Sequence, residues 1–490
     1  MCYKKIAFAI LCMLAGTAAR PQIVLKQQRE LFADNYLVDK MAGVENRLGV
    51  PVAAETAIKF DAGWEGVFSG AYVSVTHDGS LYRMYYRGVG ETEDIKKQVT
   101  CCAESRDGVH WQKPAYRQFK INGSLENNVV LLGDRLQASH NFSVIYDQNP
   151  AAAPGERYKA VGGVASSKRR SMRGLYRYVS ADGIHWKIKD SIPLFPDGYG
   201  MDSQNVLAWL PSEQQYAIYL RVWTGDHPGD STLLKGVRTI ARSVSEDFIH
   251  WSEPQRMQFD NGIIEDLYTN ATQPYFRAPQ LLVSLPFRFS PHAVALTESE
   301  MNENGIARSM RKGISDAVLL TSRGGNNYSR PFMESFIRPG LDVHNWAARS
   351  NIPALGVVPT GQNEMSVYVT RAYGTKECHI QRMTLRTDGF ASLHAGYKEG
   401  YVLTRPLQLD GNKFLLNYST SSVGYVKVVF LDESLREIAG FSERDAKKMT
   451  GDRIDQEISW GSASLGELKG KTIRIKFIIR DADIYSFALF

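Results

Sequence analysis

The chain has 490 residues, more than one ordinary domain needs and enough to bury a large core. Its 43% hydrophobic and 22% charged residues are typical of a folded globular protein and exclude a disordered chain. The formal charge of +6 comes from lysines and arginines spread along the chain, a pattern that gives little support for nucleic-acid binding.

The first residues predict an export signal. Lys4 and Lys5 precede an apolar run from Ile6 to Gly16, and small residues follow as far as Ala19. The run is shorter than the ~20 apolar residues that a membrane-spanning helix needs, and no later stretch reaches that length. We therefore expect residues 1–19 to be a signal peptide and the mature protein to be periplasmic or extracellular, without a membrane span.

A short pattern recurs along the chain and predicts the fold. It combines a serine, an aspartate turn and a closing aromatic residue. Its copies are Ser105–Trp111, Ser180–Trp186 and Ser245–Trp251, with weaker ones at Ser322–Tyr328 and Arg386–Phe390. Asp-Gly turns join strands tightly, and the closing aromatics lie about 60 to 80 residues apart, enough for one four-stranded blade. Five copies imply five blades.

The segments between the copies are short, alternating or apolar, and bounded by turn residues, as is typical of β-strands. From about residue 398 the aromatic turn stops, but residues 425–430 and 472–478 continue the alternation. The sequence thus predicts an all-β protein with a five-bladed β-propeller over residues 20–397. A small C-terminal β-sandwich follows over residues 398–490, with a structural role or sugar binding as its alternatives. We expect a monomer.

Four segments carry a resemblance to known propellers: Leu31–Tyr36, Tyr268–Asn270, Tyr275–Pro279 and Asp481–Phe487. The chain is similar to the five-bladed glycoside hydrolase superfamily of families 32 and 43, which includes invertases, levanases and arabinanases. It is particularly similar to secreted bacterial propellers that begin Leu-Phe-x-Asp-x-Tyr, and its repeated turn resembles the Asp-box of sialidases. The resemblance implies the propeller fold and a carbohydrate substrate.

Catalytic roles cannot be transferred residue by residue from that superfamily. Families 32 and 43 place an acidic residue on the inner strand of each of the first three blades. The Trp-Met-Asn-Asp-Pro-Asn signature of family 32 is absent here, and the family 43 start is not evident. The candidates are therefore polar residues near each blade's first strands, because a propeller gathers such positions into one axial funnel.

Four carboxylates are candidates for catalysis, because glycosidic cleavage usually needs one protonated and one ionised carboxyl group beside the bond. Asp202 in blade three is the preferred residue, and its partner would be Glu265, Glu334 or Glu364. The structural alternatives are a turn-capping role for Asp202 and a hairpin position for Glu364. The separation of the pair, and with it the stereochemical outcome, stays open.

Nine further residues are candidates for substrate binding: Glu65, Arg87, His140, Asn141, Asn270, Arg277, Asp316, Arg338 and Trp346. Arginine suits bidentate recognition of a carboxylate or sulfate, which raises the case for an anionic sugar such as a uronic acid. The alternative for the arginines of blade four is an ion pair with Glu265 or Asp266. Structural roles are the alternative for Glu65 and His140, and core packing for Trp346.

These candidates predict a secreted glycoside hydrolase, exo-acting on a polysaccharide-derived oligosaccharide. The alternatives are a non-catalytic glycan-binding propeller and a lyase or phosphorylase. A single carboxylate backed by histidine and tyrosine would favour the lyase. No cofactor or metal is expected, because Cys101, Cys102 and Cys378 lack a zinc-site pattern and no acidic loop has dedicated calcium spacing. Structural calcium in the axial channel stays open.

Overall fold

The computed structural model describes residues 23–90, 97–133, 136–164, 174–195, 201–225 and 236–490, so the predicted signal peptide lies outside it. The described part is all-β, as predicted, and its one α-helix is α1 (Glu298–Glu303). Within it, no helix has the length and apolar character to cross a membrane. Five strands precede the first blade: β1 (Ile23–Leu25), β2 (Arg29–Leu31), β3 (Val38–Ala42), β4 (Glu45–Leu48) and β5 (Val52–Lys59).

The first three blades are regular four-stranded antiparallel sheets. Blade 1 contains β6 (Ser74–His77), β7 (Tyr82–Gly88), β8 (Val99–Ser105) and β9 (Val129–Leu132). Blade 2 contains β10 (Ser143–Tyr146), β11 (Tyr158–Gly162), β12 (Tyr176–Ser180) and β13 (Lys187–Ile188). Blade 3 contains β14 (Val206–Leu210), β15 (Gln215–Trp223), β16 (Arg238–Ser245) and β17 (Gln255–Arg256).

Blades 4 and 5 are less regular and complete the predicted propeller. Blade 4 contains β18 (Gln258–Phe259), β19 (Gln273–Tyr275), β20 (Ala278–Ser284), β21 (Phe287–Ser290), β22 (Ile314–Ala317), β23 (Leu320–Ser322) and β24 (Asn327–Tyr328). Blade 5 contains β25 (Ile352–Pro353), β26 (Val358–Pro359), β27 (Glu364–Arg371) and β28 (His379–Arg386). Its outermost strand is β5, which pairs antiparallel with β28 and so joins the N-terminal segment to the last blade. Short 3-10 turns lie at Ala138–His140, Pro154–Glu156, Arg308–Met310, Val343–Trp346 and Leu465–Leu468.

The repeated turn lies at the end of the third strand of each blade, after β8, β12, β16, β23 and β28. The copy after β23 has Gly324 where the others have aspartate. In the first copy, the Asp107 carboxylate accepts hydrogen bonds from the backbone N–H groups of Val109 and His110, both at 2.8 Å. The Ser105 hydroxyl contacts the same carboxylate at 2.9 Å. The motif is therefore a carboxylate-capped turn, which explains its recurrence without any catalytic role.

Four N-terminal strands and six C-terminal strands form one ten-stranded sheet. The C-terminal strands are β29 (Ala391–Ala395), β30 (Gly400–Thr404), β31 (Leu407–Leu409), β32 (Phe414–Leu431), β33 (Asp452–Ile458) and β34 (Thr472–Leu489). Strand β2 pairs with β34, β3 with β30 and β4 with β29. Hydrogen bonding thus crosses the predicted boundary at residue 397. Phe414, Phe430, Trp460 and Phe477 belong to the buried core of this part, for which the sandwich stays a prediction.

The antiparallel order of each blade brings two kinds of position to the same end of the propeller. Ser74 of the inner strand pairs with Tyr85 of the second strand, so the residues ahead of β6 lie beside the last residues of β7. The same register joins Val206 to Tyr219 in blade 3. This end of the axis therefore collects the loops before each inner strand and the final residues of each second strand.

Candidate functional site

Asp202 lies in the segment leading to β14, at the mouth of the axial funnel. Half of its side-chain surface is exposed (50%), and its carboxylate forms an ion pair with the buried guanidinium of Arg221. Its backbone carbonyl accepts a hydrogen bond from the Tyr72 hydroxyl at 3.0 Å. Burial, together with the nearby Tyr268 and Asp202, raises the pKa of Tyr72, so this phenol stays a neutral donor. The contacts fix Asp202 while leaving its carboxylate accessible.

His140 supports this arrangement from blade 2. Its Nδ1 atom lies 3.1 Å from Arg87 Nη1 and 2.9 Å from Gln98 Oε1. The backbone of Asp202 accepts a hydrogen bond from His140. Burial and the adjacent Arg87 lower the pKa of His140 to about 2, which keeps the ring neutral. His140 therefore connects Arg87 of blade 1 to the Asp202 segment.

Tyr268 lies among three arginines. Their guanidinium carbons are 5.3 Å (Arg221), 4.9 Å (Arg238) and 6.0 Å (Arg349) from the centre of its ring, within the range of a cation–π contact. Among the described residues, the Tyr268 hydroxyl forms no hydrogen bond with protein. The Tyr268 ring is thus held by the arginines, while its hydroxyl has no hydrogen-bond partner among the described residues.

Two of these arginines carry aspartate partners and one does not. Arg221 pairs with Asp202, and Arg238 donates to both oxygens of Asp266 at 3.0 and 3.1 Å. Arg349 is exposed and forms no salt bridge within the described residues. Among the described residues, three arginines therefore accompany two aspartates around Tyr268.

Arg87, His140 and Asp202 are the predicted residues that the structure brings together. Arg87 is buried and donates to the Tyr373 hydroxyl at 2.6 Å, in addition to its contact with His140. Asn141 lies next to this group and is itself buried, with its amide donating to the carbonyls of Met201 and Ser203 at 2.5 and 3.0 Å. Its contacts connect blade 2 to blade 3, which is a structural role.

Two other predicted binding residues have structural contacts. Glu65 is buried, and its carboxylate accepts hydrogen bonds from the Tyr86 hydroxyl at 2.7 Å and from Lys113 at 2.6 Å. Asn270 is also buried, and its amide donates to the Tyr219 carbonyl at 3.2 Å. These polar groups already have partners inside the blades, as buried polar groups generally do.

The acidic residues of blade 4 are held by arginines. Arg288 donates to Glu265 at 2.8 Å and to both oxygens of Asp316 at 2.9 and 2.6 Å. Arg330 forms a second ion pair with Glu265. The predicted alternative of an ion pair that stiffens blade 4 is thus observed for Arg288. Arg277 instead points away from the funnel, towards Asp388 and Asp455, at 2.9 and 2.6 Å.

Glu364 lies at the opposite end of its blade. It opens β27, whereas Thr370 near the end of that strand donates to the carbonyl of Gly70 beside the funnel. Six residues of strand at ~3.3 Å each separate the two positions by ~20 Å. Glu364 is paired with Arg382 at 2.8 Å, and it is not brought to Asp202.

The remaining predicted residues of blade 5 lie in its loops. Glu334 and Arg338 are exposed, and the Arg338 backbone carbonyl accepts a hydrogen bond from Arg371 at 3.1 Å. Trp346 is half-buried, and its indole N–H donates to the Gly340 carbonyl at 2.8 Å. Within the described ranges, no hydrogen bond or ion pair joins these three side chains to Asp202.

Sequence reasoning missed Tyr72, Arg221, Tyr268 and Arg349 as site residues. A signal was present for one of them. Arg87 follows Tyr85-Tyr86 at the end of a second strand, and Arg221 follows Tyr219-Leu220 at the corresponding position of blade 3. A search for arginines at second-strand ends would have found Arg221 as well as Arg87.

The described residues also bear on metals and cysteines. In the described ranges, no group of three or more histidine, cysteine, aspartate and glutamate side chains is arranged to hold a metal ion. Cys101, Cys102 and Cys378 are buried free thiols.

No family model matches the chain. Over 141 residues it is 28% identical to an uncharacterised protein of Mycobacterium tuberculosis, covering 28% of this chain and 40% of that protein. The chain thus matches about two fifths of the length of its curated relatives.

Solved structures that are similar to this chain include an N-acetylgalactosamine deacetylase from F. plautii in complex with blood group B trisaccharide. It has a TM-score of 0.46 and 12% identity, over 71% of this chain and 97% of that one. A glycosyl hydrolase from Bacteroides ovatus has a TM-score of 0.41 and 12% identity, over 69% and 94%. An exo-inulinase from Aspergillus awamori has a TM-score of 0.39 and 9% identity, over 88% and 99%. The reaction of this chain has to be argued from its own residues.

Proposed function

We propose that the chain is an exported glycoside hydrolase that acts on the ends of polysaccharide-derived oligosaccharides. The observation that carries the proposal is the half-exposed carboxylate of Asp202 at the funnel mouth, paired with the buried Arg221. A reacting group that is accessible to substrate and fixed by its neighbours meets the substrate in one orientation, which is where much of a rate enhancement arises.

The partner of Asp202 in this proposal is the hydroxyl of Tyr268. The carboxylates of Glu265 and Asp316 accept hydrogen bonds from an arginine, and Glu364 lies at the end of blade 5 away from the funnel. Asp202, held by Arg221, removes a proton from the attacking water. The Tyr268 hydroxyl gives a proton to the leaving glycosidic oxygen, a role that tyrosine can fill in general acid catalysis.

β-Elimination by a lyase is the second candidate. The specific observation in its favour is that Asp202 is the one half-exposed carboxylate among the described residues around Tyr268 and His140, since Asp266 is held by both of its oxygens to Arg238. In that reaction the phenolate form of Tyr268 removes the proton next to a uronate carboxyl group, and the arginines stabilise the negative charge that develops. The glycosidic carbon–oxygen bond then breaks, and the Tyr268 hydroxyl returns the proton to the leaving oxygen. The product carries a new carbon–carbon double bond, which a product of hydrolysis lacks.

The test compares wild type with Asp202→Asn on a panel of neutral and uronic-acid oligosaccharides. Loss of the working carboxylate should lower kcat by about 10²- to 10⁴-fold, while the similar size of asparagine preserves the packing. The matched control is Asp190→Asn, which alters another half-buried aspartate paired with a buried arginine, Arg177, on the outer part of blade 2. The control should keep full turnover.

The products separate the candidates. New reducing ends without ultraviolet-absorbing unsaturation indicate hydrolysis, whereas unsaturated products indicate the lyase. Release of single end sugars, rather than a ladder of fragments, would support exo action. Unchanged turnover in Asp202→Asn would remove this residue from the mechanism, and binding without turnover of any substrate in wild type would leave a glycan-binding propeller.

A further inference from the structure

We propose that the sugar bound at the funnel carries an oxyanion, a carboxylate or a sulfate, and that Arg349 binds it. The inference rests on the proposed function only in placing the sugar beside Asp202. It adds the substrate class and the residue that selects it.

The first support is the charge of the funnel mouth. Arg87, Arg221, Arg238 and Arg349 surround Tyr72 and Tyr268, whereas the paired carboxylates in this group are those of Asp202 and Asp266. Arg87 is directed to histidine, tyrosine and backbone oxygens. Arg349 alone is exposed and without a carboxylate in the described part of the chain. A site with more arginines than carboxylates attracts anions.

The second support is the backbone that presents Arg349. Its φ angle is +61°, a left-handed conformation that a residue with a long side chain rarely adopts. The next residue, Ser350, is buried and accepts a hydrogen bond from the backbone N–H of Tyr373 at 3.1 Å. Buried Asn351 donates to the carbonyls of Ser315 and Asn345 at 2.8 and 3.0 Å. Strained conformations held in place by surrounding contacts cluster at ligand sites.

The third support is the position of the guanidinium group. Its carbon lies 6.0 Å from the centre of the Tyr268 ring. A cation–π contact forms no hydrogen bond with the ring, so the N–H edge of the guanidinium can meet a carboxylate with two parallel hydrogen bonds. An anionic group on the sugar at this edge would lie next to Tyr268, the proposed proton donor.

The experiment measures binding of monosaccharides, which contain no bond to cleave. Wild type, Arg349→Gln and Arg349→Lys are titrated by calorimetry with glucuronate, galacturonate and a sulfated hexose, each beside its neutral counterpart, and with inorganic phosphate alone. Arg308→Gln is the control, since Arg308 is an exposed arginine of blade 4 outside the cluster. We expect at least one charged sugar to bind at least tenfold more tightly than its neutral counterpart.

The variants give the decisive contrast. In Arg349→Gln the preference for the charged sugar should disappear while affinity for the neutral one is kept. Arg349→Lys should restore part of it, because it keeps the charge without the planar fork. Equal binding of charged and neutral sugars in wild type would overturn the inference and leave glycoside hydrolysis standing. Arg349-dependent binding of phosphate alone would also overturn it, in favour of phosphate as the second reactant. Selective binding of a charged sugar by a protein that turns over no glycoside would overturn the proposed function and keep the inference.

Discussion

Two clusters of arginine and aspartate in this molecule are built from the same residue types and differ in how their charges are matched. At the funnel mouth, Asp202 is half exposed and arginines outnumber aspartates. At the junction between the propeller and the C-terminal sheet, Asp388 is fully buried and contacts Arg29 and Arg277 at 3.2 and 2.9 Å. A second aspartate, Asp455, completes the junction.

The junction leaves no oxygen of Asp388 without a donor. Besides the two arginines, its carboxylate accepts hydrogen bonds from Tyr275 at 2.7 Å, Ser486 at 2.6 Å and Asn417 at 3.1 Å. A buried charge needs such compensation because its desolvation is costly. Matched charges thus join the propeller to the C-terminal sheet, whereas at the funnel the described residues leave Arg349 exposed and without a carboxylate partner.

The largest effect on stability should come from Asp388→Ala. It leaves Arg29 and Arg277 with the half-exposed Asp455 as their remaining carboxylate partner. Loss of one member of a buried pair costs about 3–5 kcal/mol. Chemical denaturation monitored by tryptophan fluorescence measures the change. The control is Asp107→Ala in the first copy of the same turn motif, where the carboxylate is exposed and the loss should be near 1 kcal/mol. Equal losses of stability in Asp388→Ala and Asp107→Ala would contradict the larger stabilising role expected for the buried carboxylate at the junction.

A pair of tyrosines sharpens the comparison. Tyr275→Phe removes a buried hydroxyl that donates to Asp388 and should cost about 1–3 kcal/mol of stability. Tyr268→Phe removes a hydroxyl with no protein partner in the described residues, so its stability should change by less than about 0.5 kcal/mol. Its turnover should nevertheless fall by at least about tenfold. Thermal unfolding and kcat measured on both variants check the two outcomes, and a stable, fully active Tyr268→Phe would remove that residue from the mechanism.

The free energy of unfolding should also fall in mild acid because of His140 at the funnel. Because the pKa of His140 is about 2 in the fold and 6.5 ordinarily, the unfolded chain binds a proton that the folded chain does not as pH falls below 6.5. Stability should therefore decrease by up to ~1.4 kcal/mol per pH unit from this group. The slope should flatten in His140→Gln. His110 is the control of opposite sign, because the hydrogen bond that it donates to the Asp107 carboxylate raises its pKa and its contribution is present at low pH.

The fold was predictable because its strongest signal is local. Each aspartate turn lies within a few residues of chain, so copies from Ser105 to Arg386 could be counted directly. The N-terminal strands were not predictable in the same way. Strand β5 pairs with residues that lie more than 300 positions later, and β1–β4 join the C-terminal sheet. Pairing over such distances leaves no periodic pattern at either partner.

The site was predictable in part for a similar reason. Asp202 and His140 stand directly ahead of inner strands, where a search of loop residues finds them, and Arg87 ends a recognisable second strand. Arg349 gave no such signal, because its role depends on a left-handed backbone and on buried neighbours. The prediction for Glu364 was wrong about its position. Glu364 is the first residue of a second strand, and because neighbouring strands are antiparallel, that strand begins at the end of the blade away from the funnel.

The smallest effect concerns the acid response of the junction. Burial opposes ionisation of Asp455, but hydrogen bonds and charge from Arg277 and Arg29 outweigh it and lower the pKa of the carboxyl group. A lowered pKa means that Asp455 contributes stability above its ordinary value of 3.8, and that the contribution is lost as pH falls through the folded value. Comparing the Tm of wild type and Asp455→Asn should show a small difference at neutral pH that narrows below 3.8. Since the side chain is 41% exposed, solvent screens the pair and the difference should be well below that of Asp388→Ala. An Asp455→Asn effect as large as that of Asp388→Ala would contradict the expectation that the more exposed carboxylate contributes less to stability.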